Sequence, residues 1–224
     1  MAKVTAAKGS IRPLSRVGDA DLVERRRAQI VEAATRLVAR QGFAKTVVRD
    51  IAEEANISVG LVYEYVRSKE DILFLIYEHW ARVWGDGLEK ALARGKDPLD
   101  QLMSGVAFLV SVADKHSDVT HLFYRETGHL SDYGTEQAKQ TEREMVDRLT
   151  AVLDAAVEAD LLRAETDRVA LATELILLCH GWVLKGYLLR KGRTPAGYAT
   201  SLVEMTVNGW ATPAGRKAWE RRRG

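Results

Sequence analysis

The sequence predicts an all-α protein, a small three-helix head at the N-terminal end followed by a larger helical body, with about nine helices altogether. Three observations carry this prediction. Apolar residues recur at intervals of three and four along most of the chain. No alternating β-branched stretch marks a strand, and no internal repeat appears. Hydrophobic residues make up 46% of 224 positions with only 4 Pro, which suits one large or two modest domains and excludes a disordered chain.

Residues 1–19 hold Gly9, Pro13 and Gly18 without an apolar period and read as a flexible arm. The arm is basic, with Lys3, Lys8, Arg12 and Arg16 against Asp19. Phosphate contacts or entry into a minor groove suit such a segment, and so does plain solvation. From Asp21 to Gln41, Ile30, Ala33, Ala34, Leu37 and Val38 make one amphipathic helix, which Gly42 ends. In Thr46 to Ala55 the residues Val47, Val48, Ile51, Ala52 and Ala55 repeat the pattern, with Thr46 placed to cap. Asn56 tolerates the left-handed backbone of a sharp turn. Ser58 then caps a short helix that opens with Val59, Gly60, Leu61 and Val62.

Two short helices across a tight turn form a helix-turn-helix, whose second helix lies in the major groove of DNA. Gly60 would let the backbone approach a phosphate. Thr46, Arg49, Ser58, Tyr63, Tyr65 and Lys69 would position the head on sugar and phosphate, while Val59 and Leu61 would touch base edges, favouring thymine methyls. This head is expected to span residues 20–71.

Ser68 opens a helix running to about Ala93, the mechanical link to the body. Gly85 and Gly87 weaken its middle by about 1 kcal/mol each if helical and exposed, so a bend is expected there. Pro98 begins a largely buried helix to Lys115. A shorter one follows over 117–129, then a long one from Tyr133 or Gly134 to about Asp160. The stretch 166–191 is apolar nearly all round and needs partners on more than one face. A last helix over 195–210 completes a body of residues 72–210, and 211–224 reads as a basic tail.

Gly42-Phe43, Thr46, Arg49, Ile51-Ala52, Ser58, Gly60, Tyr63, Tyr65 and Ser68-Lys69-Glu70 together resemble the signature of the TetR (tetracycline repressor) family of transcriptional regulators. The match runs from Val23 to about Leu75. Asn56 departs from the family's usual Gly, and Val59 and Glu64 stand where polar or basic readers are common, which leaves the operator sequence open. The resemblance implies that the first helix supports the reading unit with its start close to the DNA backbone, a role for Arg25, Arg26 or Arg27. It also implies a body pocket for a small effector that changes the separation of two heads, and repression as the commoner output. Trp80, Trp84, Phe108, His121, Tyr124, Arg125, His180 and Trp182 are the effector-binding candidates. An elongated apolar molecule such as an acyl-coenzyme A is expected, with Arg125 or Lys185 as its anion partner.

One head offers little area for a specific site, so a homodimer on a partly palindromic double-stranded DNA operator is expected. The stripe Val169, Thr173, Ile176, Val183 and Tyr187, with Leu202 and Met205 from the last helix, is the dimerisation candidate. A single Cys, Cys179, excludes an internal disulfide framework and fits a cytoplasmic protein, and no apolar run is long enough for a membrane span. No enzyme, metal or cofactor is called for. Glu126 and His129 form one Glu-x-x-His pair, but a di-iron site needs a second, and neither a phosphate loop nor a nucleophile elbow is present. The alternative is a helical protein that uses the same head for a ligand or partner without regulating DNA.

Overall fold

The structure, a computed structural model, describes residues 20–223 and contains eleven α-helices and one 3-10 turn over that range, with no strand. The arm of residues 1–19 lies outside the described residues. The described chain divides into two compact units.

The first unit holds residues 20–80 and Leu122–Ala138. It contains α1 (Ala20–Gln41), α2 (Val48–Glu54), α3 (Val59–Tyr63) and the first part of α4 (Lys69–Leu92). The end of α6 (Ser117–Glu126), the 3-10 turn Thr127–His129 and the beginning of α7 (Asp132–Glu158) also belong to it. The expected head of 20–71 is therefore larger, and part of it arrives from much later in the chain. Helices of seven and five residues, such as α2 and α3, do not persist alone, because the nucleation cost is spread over too few hydrogen bonds. They persist here by burying Ile51, Ala52 and Val62 against Ile30, Ala34, Leu37 and Val38 of α1 and Ile72, Leu75 and Ile76 of α4. Each large aliphatic side chain so buried contributes about 1.5–3 kcal/mol.

The second unit holds Ala81–His121 and the chain from Lys139 onward. Its centre is α5 (Pro98–Lys115), which packs against both α8 (Arg168–Leu184) and α10 (Pro195–Trp210). Capping explains these starts. Asp97 accepts from Leu99 and Asp100 N–H with Pro98 in the first turn, Asp167 accepts from Ala170 N–H, and Thr194 accepts from Gly197 N–H ahead of Pro195.

Three sequence expectations change here. The helix expected over 166–191 ends at Leu184, because Lys185 leaves helical backbone (φ −119, ψ 29), and a short α9 (Gly186–Leu189) follows. The helix α4 passes unbroken through Gly85 and Gly87, whose missing side chains make room for neighbours. A Cβ on Gly87 would stand 2.1 Å from the Phe108 ring, and one on Gly85 2.7 Å from the Arg148 guanidinium. The expected tail 211–224 is a docked helix, α11 (Pro213–Arg223). Thr212 Oγ1 accepts from Gly215 N–H at 3.0 Å, Trp219 is buried, and Arg222 pairs with Asp97.

Candidate nucleic-acid interface

The reading segment is set on its scaffold by local chemistry. Asn56 takes the left-handed conformation (φ 53) that ends α2, and Ile57 N–H donates to Ala52 O at 2.9 Å. Gln29 of α1 donates to Ala55 O at 2.5 Å, and Arg36 and Arg40 hold Glu54 at 2.9 and 2.8 Å. Hydrogen bonds from those two guanidinium groups hold the Glu54 carboxyl below its ordinary range. Ser58 then caps α3, its hydroxyl accepting from Leu61 N–H at 3.1 Å.

What α3 presents outward is Ser58, Val59, Gly60 and Tyr63, all exposed. Leu61 is half-buried and packs on the head core. Gly60 has no internal reason to lack a side chain. A Cβ there would meet nothing nearer than Ser58 Oγ at 4.0 Å, and its backbone is not left-handed. Since Gly costs a helix interior up to about 1 kcal/mol relative to Ala, the bare backbone points to something that approaches from outside.

Two expected contact residues are withdrawn inward. Tyr65 is 5% exposed, and burial, with a smaller push from the Glu64 charge, raises its phenol above the usual value. It lies with Val62 and Val66 on the core stripe, a spacing of three and four already visible in the sequence. Thr46 is buried too, and its hydroxyl donates to Gly42 O at 2.9 Å, so the residue before α2 is Val47, without a side-chain cap. Arg49 is exposed. Lys69 donates to Ala44 O at 2.9 Å with its ammonium 4.4 Å from the Phe43 ring centroid, so it braces the turn after α1.

Sequence reasoning missed Lys45, Val47 and Arg67, all exposed beside the reading segment. The structure supplies the reason for Lys45 and Val47: Val47 has extended backbone (φ −119, ψ 153), and the neighbours of buried Thr46 in extended chain face outward. Of the three arginines early in α1, Arg27 pairs with Glu78 and Arg26 bonds Gln29 at 2.8 Å, while Arg25 is exposed.

Residues 30–76 match the model described as bacterial regulatory proteins of the tetR family, and residues 95–210 match the tetracyclin repressor-like C-terminal domain. The chain belongs to the TetR family. It is a DNA-binding transcriptional regulator, and α11 lies beyond the part the family models match. The chain is 29% identical over 202 residues to the HTH-type transcriptional regulator HbdR of Aromatoleum sp. (strain CIB), covering 90% of this chain and 88% of that protein. FadR from Bacillus subtilis, solved in complex with stearoyl-CoA, shares the fold at a TM-score of 0.72 and 16% identity, covering 81% of this chain and 98% of that one. AibR, solved with isovaleryl coenzyme A and operator DNA, does so at 0.68 and 19%, covering 80% and 97%.

The effector candidates do not assemble as one set. Trp80, Tyr124 and Arg125 belong to the first unit. There Trp80 donates to Thr35 Oγ1 at 3.3 Å, Arg125 donates to Val38 O at 3.0 Å, and Tyr124 is exposed. Trp84, Phe108, His121, His180 and Trp182 belong to the second. Trp182 donates to Asp114 Oδ1 at 2.8 Å and stacks on Tyr198, and His121 is exposed. Trp84 and His180 lie 6.0 Å apart, and burial pushes the His180 imidazole down to about 4.

The dimerisation stripe also divides. Val169, Thr173, Tyr187 and Met205 are exposed and Ile176 is half-buried, but Val183 and Leu202 are buried within the protomer. The helix α8 is apolar almost all round, so periodicity does not select its inward face. Packing against α5 and α10 selects it, taking Leu171, Leu175, Cys179, Trp182 and Val183 inward and leaving Leu177 and Leu178 outside. Among the described residues no helix is long and apolar enough to cross a membrane, and no three His, Cys, Asp or Glu gather as a metal site.

Proposed function

We propose that this regulator is a homodimeric repressor that binds a partly palindromic operator through Val59, Gly60 and Tyr63 and leaves it when an acyl-coenzyme A thioester occupies the second unit. The observation that carries the reading is Gly60, bare and exposed at the start of α3 with nothing inside the protein requiring it. Leu61 contributes a half-buried apolar edge, and Arg49, Lys45 and Arg67 supply phosphate contacts around it. Val169, Leu177, Tyr187 and Met205 are large apolar side chains left exposed on α8, α9 and α10, and covering them with the same face of a second copy forms the isologous interface. The thioester class is supported by the stearoyl-CoA and isovaleryl coenzyme A complexes of FadR and AibR. Trp84, Phe108 and His180 of the second unit are the lining residues, the neutral imidazole serving as hydrogen-bond donor to the thioester carbonyl.

The test begins with selection of duplexes from a random-sequence pool by gel shift, at stated salt. The selected duplex should carry an inverted repeat, and its affinity should fall steeply with salt. Butyryl-CoA and palmitoyl-CoA are then titrated into the complex, with free coenzyme A as control. Release by a thioester and not by the control supports the effector class, whereas a complex indifferent to both removes it. A repeat without two-fold symmetry would remove the dimer.

A further inference from the structure

Among the described residues Glu126 is the only acidic or basic side chain that is buried, at 4% exposure. It stands at the end of α6, and what it binds lies 83 residues earlier. Oε1 accepts from the Phe43 backbone N–H at 3.3 Å and from Arg125 Nε at 2.6 Å, while Oε2 lies 3.4 Å from His129 Nδ1. The neighbours continue the grip. Arg125 also donates to Val38 O at 3.0 Å in the last turns of α1, and the His129 ring lies against Phe43 with centroids 5.4 Å apart. Val38 and Phe43 are thus held by Arg125, Glu126 and His129, three side chains from one remote segment. Gly42 itself is left-handed (φ +82), with Glu126 Oε1 3.6 Å from where its Cβ would be.

Other groups in this turn are already satisfied by neighbours. Gly42 N–H donates to Val38 O, Thr46 N–H to Phe43 O, and Lys69 to Ala44 O. The Phe43 N–H is the donor directed at the carboxylate. Burying a carboxylate costs several kcal/mol before its partners offset it, and since Arg125 and His129 come from its own segment, the Phe43 amide is the remote contact that the burial secures. The turn it grips leads directly into Val47 and α2, and α2 is the seat of α3 through Ile57 and Ala52.

We propose that Glu126 is a positioning residue for DNA reading. It fixes the turn between α1 and α2, and through α2 the presentation of Val59, Gly60 and Tyr63, although it touches no DNA itself. The role rests on the DNA-binding reading above. It also accounts for the Glu126–His129 spacing, which the head uses for this grip.

Charge and reach are separated by three variants of the full chain, bound to the duplex that the wild-type chain selects. Glu126→Gln keeps an oxygen for Phe43 N–H and an amide for His129 but removes the charge. Glu126→Asp keeps the charge but is one methylene too short. Glu126→Ala removes both. Positioning predicts that Ala and Asp weaken selected-duplex binding by about tenfold or more, the size of one hydrogen bond to a charged phosphate lost as α3 shifts, with Gln within about threefold of wild type. It also predicts little change in binding to a scrambled duplex.

A purely electrostatic role predicts the opposite sign, since losing a negative charge should tighten Ala and Gln alike on any duplex. A purely structural role predicts lower melting temperatures with unchanged affinity when binding is measured well below each melting point. Either result overturns the proposal. If Glu126→Ala does not fold, the Gln and Asp pair decides in the same way. Failure to select any duplex would instead remove the DNA reading, before Glu126 is tested.

Discussion

Replacing Gly60 by Ala should move folding and DNA binding in opposite directions. The added methyl meets only Ser58 Oγ, at 4.0 Å, which is ordinary contact, and the backbone already has a helical sign of φ. Nothing in the protein therefore resists the change, and the helix gains up to about 1 kcal/mol from the lower entropy of the unfolded chain. For a chain of this size that is a rise of about 2–4 °C in melting temperature. Against DNA the methyl projects from the exposed start of α3, where the backbone meets its partner. Holding the sugar-phosphate chain off by even part of a methyl radius should cost about tenfold in affinity, comparable to one lost charge-assisted hydrogen bond. Scanning calorimetry of the free protein and gel-shift titration at fixed salt give the two numbers. A variant that is more stable and binds as well as wild type would refute the assignment of Gly60 as the point of approach.

Tyr63→Ala should weaken operator binding by about tenfold while leaving stability within about 0.5 kcal/mol, since Tyr63 is exposed. Tyr65→Ala should instead destabilise the head by about 3–5 kcal/mol, and Tyr65→Phe should bind as wild type, a set that urea unfolding and gel shift together check. Gly215→Ala would place a Cβ 2.0 Å from the Leu161 carbonyl oxygen, so α11 must lift, at about 1–3 kcal/mol by urea unfolding. The imidazole of His180 is held down at about 4 by burial against an ordinary 6.5, so between those values the unfolded chain binds the extra proton. Stability is then full above about pH 6.5 and falls as pH drops, by roughly 2 kcal/mol from pH 7 to pH 5, with His116, also lowered by burial, adding in the same direction. Urea unfolding at both pH values should show a smaller loss for His180→Gln, and an equal loss would refute it. Deleting residues 1–19 removes Lys3, Lys8, Arg12 and Arg16, and if all four meet phosphates the slope of log affinity against log salt should flatten by up to about 3.6.

Local requirements were legible in the sequence and long-range ones were not. Asn56 and Ser58 were readable because a left-handed helix end and an N-cap depend on residues next to each other. Tyr65 was misassigned even though its spacing from Val62 and Val66 marks the core, because a phenol beside the exposed Tyr63 looks equally suited to phosphate. The inward face of α8 could not be chosen from a helix apolar on nearly every side, and contact with α5 and α10 decides it. Residues 211–224 read as a solvated tail because their charges dominate their composition. The anchors that fold them, Trp219 in the core and Gly215 against Leu161, depend on partners distant in sequence. Glu126 was visible only as half of a metal pair, since its amide partner belongs to another helix end.

The reading helix spans only five residues, and that brevity has a consequence for the whole head. A segment too short to be stable alone takes its direction from what it rests on. Its inward contacts are Val62 and the half-buried Leu61, and neither is a polar clamp that would correct a tilt. The polar groups that fix direction lie one layer back, in Gln29 on Ala55 O, in Ile57 N–H on Ala52 O and in Glu126 on Phe43 N–H. Damage to that layer should therefore appear first as lost discrimination between operator and scrambled duplex, because a small rotation of α3 moves Val59 and Tyr63 off their targets while most of the buried apolar area stays in place.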